Sequence, residues 1–151
     1  MDNIKRIEEV LTTEEVLIST ATGYSMYPML RDRKDTIVVR RPQGRLKKYD
    51  VALYKTGSLY ILHRVLEVKS DSYIIRGDNC DKKEYGIKDE QILGVLTGFY
   101  RGDKWIDING WKYKLYVRMH QVFFPMWWLY RLLRRKGGEL LRKIRKDHYQ
   151  T

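Results

Sequence analysis

The pattern of apolar and polar residues changes twice along this chain, which divides it into three segments. In residues 2–17 the apolar residues recur at helical spacing between acidic ones; they are Ile4, Ile7, Val10 and Leu11, with Leu17 as a further member. This pattern predicts a short amphipathic helix at the N-terminus. Such a helix is too small to form a DNA-reading domain.

Short β-rich runs replace the helical rhythm in residues 16–110. They are VLISTATG, DTIVVRR, DVALYK, LYILHRVLEV, SYIIRGD, QILGVLTGFYR and KWIDING, and Gly, Asp, Asn or Pro separates them at intervals of roughly ten residues. Several runs, TIVV among them, are apolar on both faces near their centres. We therefore expect a mainly β fold that is curled into a compact domain rather than spread as a one-sided sheet.

Residues 111–151 return to helical character and form the third segment. Pro125 and the pair Gly137-Gly138 are expected to interrupt this helical tail. A chain of 151 residues has room for one domain with a real core but not for a second full domain. The predicted organisation is therefore an N-terminal helix (1–15), a β-domain (16–110) and a helical tail (111–151).

Positive charge is concentrated in the tail. The chain carries a formal net charge of +11, yet residues 1–110 hold 19 Lys and Arg against 17 Asp and Glu, whereas residues 111–151 hold 11 against 2. Clustered positive charge beside aromatic residues attracts either phosphate backbones or anionic lipid headgroups. The arrangement of the apolar residues decides between these two partners.

The tail contains a run of apolar and aromatic residues, Val122 to Tyr130, that is too short to cross a bilayer. Aromatic residues in this run prefer the headgroup boundary and the arginines that follow suit anionic lipid: Trp127, Trp128, Tyr130, Arg131, Arg134 and Arg135. We expect the tail to lie on an anionic membrane surface. A helix packed on the β-domain and a docking helix for a partner remain open. Nucleic acid is not the expected partner, because following a phosphate backbone needs no bulky apolar surface.

Cysteine content and the lengths of the apolar segments bear on the compartment. Cys80 is the only cysteine, which excludes an internal disulfide framework and a Cys-rich zinc site and fits a reducing compartment. The N-terminus lacks the apolar core of about 7–15 residues that a secretory signal carries, and no stretch reaches the ~18 apolar residues that span a bilayer. We expect a cytoplasmic protein, peripheral at the inner face of a membrane, with no metal and no cofactor.

One serine lies in an unusual setting, the stretch TGYSMYPML. A nucleophilic serine needs a tight turn that exposes its hydroxyl, a nearby base, and N–H donors aimed at the developing oxyanion. Gly23 permits close backbone approach and Pro28 stiffens the turn, while Met26 and Met29 either line a substrate groove or pack inward. On local grounds alone Ser25 is a turn residue, since most serines that follow a strand are structural.

A histidine and an acidic segment supply the other candidate groups. His63 lies in the middle of the apolar run YILHRVLEV, and imidazole is the side chain best suited to accept a proton near neutral pH. The segment RGDNCDKKEYG, which we interpret as a loop, contains Asp78, Asp81 and Glu84, and a carboxylate from such a loop can orient an imidazole. Taken singly, a hydrogen-bonded core histidine and a solvated charge run explain both features.

Taken together, four boxes resemble the signal-peptidase-like branch of the S24/S26 serine peptidase superfamily. They are GYSMYPML, then DVALY leading into LYILHRV, then RGDN and finally QILGVL, and they extend over about residues 18–98. The resemblance implies a β-fold like that of signal peptidases and self-cleaving repressors. Histidine stands where bacterial signal peptidases place a lysine before an arginine, so the chain is similar to the histidine type.

The resemblance implies a role for each matched residue. Ser25 falls on the nucleophile of the Ser-Met-x-Pro box, and His63 falls on the general base. Asp78 matches the aspartate of the Gly-Asp-Asn box, whereas Glu84 falls on a further acidic position that is usually aspartate. Which of the two carboxylates, Asp78 or Glu84, orients His63 is left open. The Ser25 backbone N–H would supply one oxyanion donor.

The implied function is a serine endopeptidase that cleaves a peptide or protein through an acyl-enzyme, with small residues before the scissile bond. Met26, Pro28 and Met29 would bind the substrate. Gly23-Tyr24 stands where signal peptidases commonly have Ser-Gly, which is closer to the self-cleaving repressors, so cleavage in trans and self-cleavage are both open. The alternative is a catalytically inactive peptide-binding or maturation partner with the same fold. The sequence does not specify the oligomeric state.

Overall fold

A computed structural model of the chain is mainly β: a short N-terminal helix, an eight-stranded antiparallel sheet and a C-terminal helix, which confirms the predicted fold class. The structure describes residues 2–147, with side chains for residues 7–130 and 132–134. The elements are α1 (Asp2–Thr13), β1 (Val16–Thr20), β2 (Asp35–Arg40), β3 (Val51–Thr56), β4 (Leu59–Val68), β5 (Tyr73–Arg76), β6 (Glu84–Ile87), β7 (Ile92–Arg101), β8 (Lys104–Asp107) and α2 (Trp111–Asp147), with a 3₁₀ turn at Asp89–Gln91.

The sheet has the strand order β1-β2-β7-β3-β4-β5-β6, and β8 pairs with β7 outside this path. Each pairing is antiparallel. The long strand β4 therefore lies between β3 and β5, with His63 opposite Ala52. Because side chains alternate between the two faces of a strand, His63 and its neighbour Arg64 lie on opposite faces of the sheet.

The face that carries His63 also carries the main apolar cluster. Its fully or nearly buried members are Leu46, Ala52, Tyr54, Val65, Tyr73, Ile75 and Ile87. The Tyr73 hydroxyl is hydrogen-bonded at the border of the cluster: it accepts from the Leu46 N–H and donates to Asp89. This agrees with the general requirement that a buried hydroxyl find a partner.

A buried ion pair dominates the opposite face. Arg64 and Asp78 are each about 1% exposed, and they form a bidentate pair with Nε–Oδ1 and Nη2–Oδ2 distances of 2.7 and 2.6 Å. The remaining guanidinium protons go to the Tyr49 carbonyl and the Tyr113 hydroxyl, both at 3.0 Å, and to the Met29 sulfur at 2.9 Å. Burial alone would lower the pKa of Arg64, but the adjacent carboxylate outweighs burial and raises it.

Three local predictions are wrong. Leu17 does not continue the N-terminal helix, because α1 ends at Thr13 and Glu15 turns the chain with a φ of 59°, so that Leu17 belongs to β1. The acidic segment is not wholly a loop, since Glu84 begins β6 and pairs with Ile75 of β5. This strand is only four residues long and largely exposed, so it lacks the apolar alternation by which strands are recognised.

The predicted helix interruptions are also absent from the described tail: α2 is one helix of 37 residues with Pro125 inside it, and Gly137 and Gly138 are helical. A proline removes one helical hydrogen bond, yet the helix continues through this position.

The chain divides into two compact units, Met1–Tyr113 and Lys114–Thr151. The first contains α1, the sheet and the first turn of α2. Among the residues that the structure describes, no helix combines the length and the apolar character that crossing a membrane requires.

We predict that Asp78→Ala lowers the free energy of unfolding by about 3–5 kcal/mol, because it leaves the buried Arg64 guanidinium without its counter-charge. Urea denaturation followed by circular dichroism measures the change. Glu67→Ala is the matched control, because it removes the same kind of group from an exposed pair with Lys69, and it should leave the urea midpoint unchanged. An Asp78→Ala protein with the wild-type midpoint would contradict a stabilising role for the buried pair.

Candidate active site

Ser25 lies in a compact turn between β1 and β2. The turn is closed by backbone hydrogen bonds from Tyr27 to Tyr24 (3.1 Å) and from Leu30 to Met26 (2.9 Å). The Tyr27-Pro28 peptide bond within it is cis. These contacts hold the Ser25 backbone in place while its side chain is only half-buried.

Carboxylates fix both ends of the Ser25 turn. The Gly23 N–H donates to Asp32 Oδ1 at 2.7 Å. At the far end the fully buried Asp35 receives Arg31 Nη2 at 2.7 Å and Arg101 Nη2 at 3.0 Å. Burial would raise the pKa of Asp35, but the hydrogen bonds from the two arginines outweigh burial and lower it. The turn is thereby anchored to the first residue of β2 and the last residue of β7.

The Gly-Asp-Asn segment after β5 forms hydrogen bonds with the Ser25 turn. The Asn79 N–H donates to the Ser25 carbonyl at 2.8 Å, and the Asn79 side-chain amide donates to the Tyr24 carbonyl at 2.9 Å. One asparagine therefore satisfies the carbonyls of two successive residues. This contact sets the position of the serine backbone relative to β5.

Gly77 is the point at which the serine turn, the histidine and the cysteine meet. A Cβ atom at this position would lie 2.6 Å from the Ser25 carbonyl oxygen, 2.8 Å from Cys80 Sγ and 2.9 Å from His63 Nε2. No real Cβ tolerates such distances, so only glycine allows these three residues to converge. His63 Nε2 therefore faces the side of the site on which Ser25 lies.

The other imidazole nitrogen is held by a carboxylate. His63 Nδ1 lies 2.7 Å from Glu84 Oε1, and the histidine is 8% exposed. Because a carboxylate only accepts, Nδ1 carries the hydrogen of this bond, which leaves Nε2 of a neutral ring as the acceptor. The order of groups is thus a serine turn, an imidazole and a carboxylate, each reached from a different segment of the chain.

Tyr54 contacts both His63 and Glu84. Its hydroxyl lies 3.2 Å from His63 Nδ1, and the residue is fully buried. Burial and a hydrogen bond to the Glu84 carboxylate raise the pKa of Tyr54, so the phenol stays protonated and acts as a donor. Glu84 accordingly accepts from both the imidazole and the phenol, which restricts its orientation.

The structure distinguishes the two carboxylates that the sequence left open. Glu84 contacts His63, whereas both oxygens of Asp78 are engaged by Arg64. Asp78 is therefore a buried structural partner and not the group that orients the imidazole. Among the described side chains, Ser25 makes no hydrogen bond to His63. Bonds of this kind are often long in unliganded sites and tighten on substrate binding.

The three residues predicted to bind substrate have different locations. Met29 is buried, and its sulfur accepts from Arg64 and from the Tyr113 hydroxyl, so the prediction that it lines a groove is wrong: it packs inward beneath the turn. Pro28 is exposed on the turn. Met26 is buried but lines a cleft beside Ser25.

This cleft has a volume of about 300 Å³ and opens beside the Ser25 turn. Most of its lining is apolar and comes from α1, β1, β2, β3, β4 and the turn; it includes Leu17, Ala21, Leu30, Leu53, Ile61 and Leu62. Residues Ser19 and Thr20 bring the end of β1 to the cleft. Within the described residues β1 ends the strand order and pairs only with β2, so its other edge is unpaired.

The predicted membrane-surface residues lie on α2. Trp128, Tyr130 and Arg134 are exposed, whereas Trp127 is half-buried. The side chains of Arg131 and Arg135 lie outside the described residues.

Sequence reasoning missed the supporting residues of the site. Tyr54, Asn79 and Gly77 all lie inside boxes that were recognised, yet nothing in the linear sequence shows that the fold brings them to His63 and the Ser25 turn. Cys80 is half-buried, and its position near Gly77 and His63 followed only from the fold.

Comparison of the chain with models of known protein families gives no match, and no curated protein matches it either. The geometry of the site therefore carries the functional argument.

We predict that Gly77→Ala destabilises the protein by about 1–3 kcal/mol, the usual cost of overpacking a well-packed interior. The added methyl group must displace either the Ser25 backbone or the His63 ring. Urea denaturation measures the cost. Gly110→Ala serves as the comparison, since its Cβ would meet only the Asp107 carbonyl at 3.2 Å, and it should cost less. Equal effects of the two substitutions would argue against the close convergence at Gly77.

Cys80 offers an independent probe of the same site, because it is the only cysteine of the chain. Burial, together with the negative charges of Glu84 and Asp81, raises the pKa of Cys80. Only the thiolate reacts with iodoacetamide, so the alkylation rate should rise at a higher pH than in the unfolded chain. Glu84→Gln removes one of the negative charges and should shift this rise to lower pH, as followed by mass spectrometry.

Glu67→Gln, which removes a distant carboxylate, is the control for this titration and should not move the curve. A Glu84→Gln protein whose alkylation curve coincides with that of the wild type would place Glu84 too far from the thiol, and hence from the histidine beside it.

Proposed function

We propose that this protein is a serine endopeptidase of the signal-peptidase-like, histidine-type branch of the S24/S26 superfamily. One observation carries the proposal: Glu84 holds His63 through Nδ1, while His63 Nε2 and the Ser25 backbone meet across Gly77. A carboxylate, an imidazole and a serine in this order are the groups that acyl transfer needs. We further propose that the enzyme works in the cytoplasm at the inner face of a membrane, where its single thiol would stay reduced.

In the proposed reaction, His63 Nε2 takes the proton of the Ser25 hydroxyl as Oγ attacks the scissile carbonyl carbon. Glu84 stabilises the imidazolium that forms. The tetrahedral intermediate collapses when the imidazolium gives its proton to the leaving amine, which breaks the peptide C–N bond and leaves an ester on Ser25. A water molecule, deprotonated by His63, then hydrolyses the ester and restores the serine.

Charge on the carbonyl oxygen needs donors that are already in place. The Ser25 N–H fits this role, because within the described part of the chain it makes no hydrogen bond and backbone hydrogen bonds close the turn around it. Fixed backbone donors of this kind stabilise the oxyanion without reorganising during the reaction. The neighbouring Gly23 N–H is already committed to Asp32.

The cleft and the edge of β1 favour an extended peptide as substrate. A strand that pairs with the free edge of β1 would run past Ser25 and place alternate side chains in the apolar cleft. We therefore propose that the residues before the scissile bond are apolar and uncharged, which includes the small residues implied by the family resemblance.

The proposal predicts labelling by a fluorophosphonate, which phosphonylates an activated serine with loss of fluoride. Wild-type protein should be labelled, while Ser25→Ala and His63→Ala should abolish labelling. Glu84→Ala should slow it by about 100-fold or more, because the imidazole loses its orientation. Tyr54→Phe should slow it less, since it removes one hydrogen bond but leaves the carboxylate. Gel fluorescence against time measures each rate.

Ser58→Ala is the matched control, since this serine lies in the exposed turn between β3 and β4 and should not affect labelling. Circular dichroism confirms that each variant is folded. Equal labelling of wild type, Ser25→Ala and His63→Ala would refute the peptidase proposal. Unlabelled wild-type protein that still binds an apolar peptide would instead support the inactive peptide-binding alternative.

A further inference from the structure

The exposed surface of α2 carries a regular apolar stripe. Its members are spaced alternately four and three residues apart and are between 48 and 72% exposed; they are Leu115, Met119, Val122, Met126, Leu129 and Leu133. Residues at this spacing fall on one narrow face of a helix. The stripe extends for about 27 Å along the axis, at ~1.5 Å per residue.

Cations border this stripe on both sides. Lys114 and Arg118 lie along one border and Arg134 along the other, and all three are exposed. Phe123 and Tyr130, also exposed, lie between the stripe and the Arg134 border. An apolar face with aromatic and cationic borders is the arrangement of helices that lie in the headgroup region of a bilayer.

The charge of the helix has one sign over its described side chains. Between Asp107 and Glu139 the chain contains no acidic residue. A zwitterionic surface offers such a helix little net attraction, whereas an anionic surface attracts each cation by an amount that corresponds to about a fivefold change in affinity.

We propose that the α2 stripe and its cationic borders form a docking surface for anionic lipid. The apolar stripe inserts among the acyl chains near the headgroups, and Lys114, Arg118 and Arg134 contact lipid phosphates. This surface shares Tyr130 and Arg134 with the one expected from the sequence, but its apolar contact comes from the stripe, because Trp127 and Trp128 lie on other faces of the helix.

A second copy of this chain fits the stripe less well than lipid does. The alternating spacing is compatible with a coiled coil, but paired helices normally place opposite charges beside the seam. Here Arg118 is the one charged residue directly beside the seam, and the others are Trp111, Tyr116, Phe123, Pro125, Tyr130 and Leu132, so two copies would offer Arg118 no carboxylate to pair with.

Vesicle flotation tests the proposal with the full-length protein. Vesicles of phosphatidylcholine alone and of phosphatidylcholine mixed with phosphatidylserine are the two probes. Ser25→Ala is used throughout, so the result is independent of peptidase activity. The protein should float with the anionic vesicles and not with the neutral ones, and added salt should weaken binding because it screens the headgroup charge.

Two variants separate the apolar and the electrostatic contributions. The double variant Val122→Glu/Met126→Glu places carboxylates in the stripe and should reduce binding to anionic vesicles by at least about tenfold. Arg118→Gln keeps the stripe and should reduce binding by roughly fivefold. Leu59→Glu makes the same kind of exposed apolar-to-acidic change at the first residue of β4, and it should bind like the parent protein.

Three results would overturn the proposal. The first is absence of the parent protein from the floating anionic vesicles. The second is binding that is unaffected by both the double variant and Arg118→Gln. The third is stripe-dependent dimerisation in analytical ultracentrifugation, or duplex DNA binding at the same salt, without vesicle binding.

Discussion

The buried pair of Arg64 and Asp78 is the interaction on which the rest of the first unit depends. A charge at about 1% exposure is tolerated only when its partners surround it completely. Here the partners come from distant parts of the chain: the segment before β3, the Ser25 turn through Met29, the loop after β5, and the first turn of α2. Satisfying one guanidinium therefore fixes several loops at once.

The candidate site inherits its geometry from this pair. Asp78 is held on one face of the sheet, and Asn79, the next residue, reaches the carbonyls of the serine turn. Gly77, the residue before, leaves room for the imidazole and the serine backbone. Three successive residues thus connect the structural charge on one face with the chemical groups on the other. Residues 77–79 therefore both supply the carboxylate that pairs with Arg64 and hold the backbone of Ser25 in position.

The sequence was sufficient for the elements whose signals are local. The apolar runs predicted seven of the strands and the mainly β class, and Ser25, His63 and two alternative carboxylates, Asp78 and Glu84, were identified as candidates. The sequence could not show that Asp78 belongs to Arg64 while Glu84 belongs to His63, because that assignment depends on strand pairing between β4, β5 and β6. Glu84 lies on a short exposed strand that has no periodic signal of its own, and Met29 was ambiguous until its burial was known.

The alternation of side chains along β4 has a consequence for how this chain can vary. Imidazole and guanidinium occupy consecutive positions, so deleting or inserting one residue in β4 would exchange the two faces. A cation would then meet the Glu84 carboxylate, and an imidazole would meet the buried aspartate. Length changes should therefore be confined to the connecting turns, where they leave the parity of this strand intact. The length of β4 is fixed in this sense, because His63 and Arg64 must stay on opposite faces of the sheet.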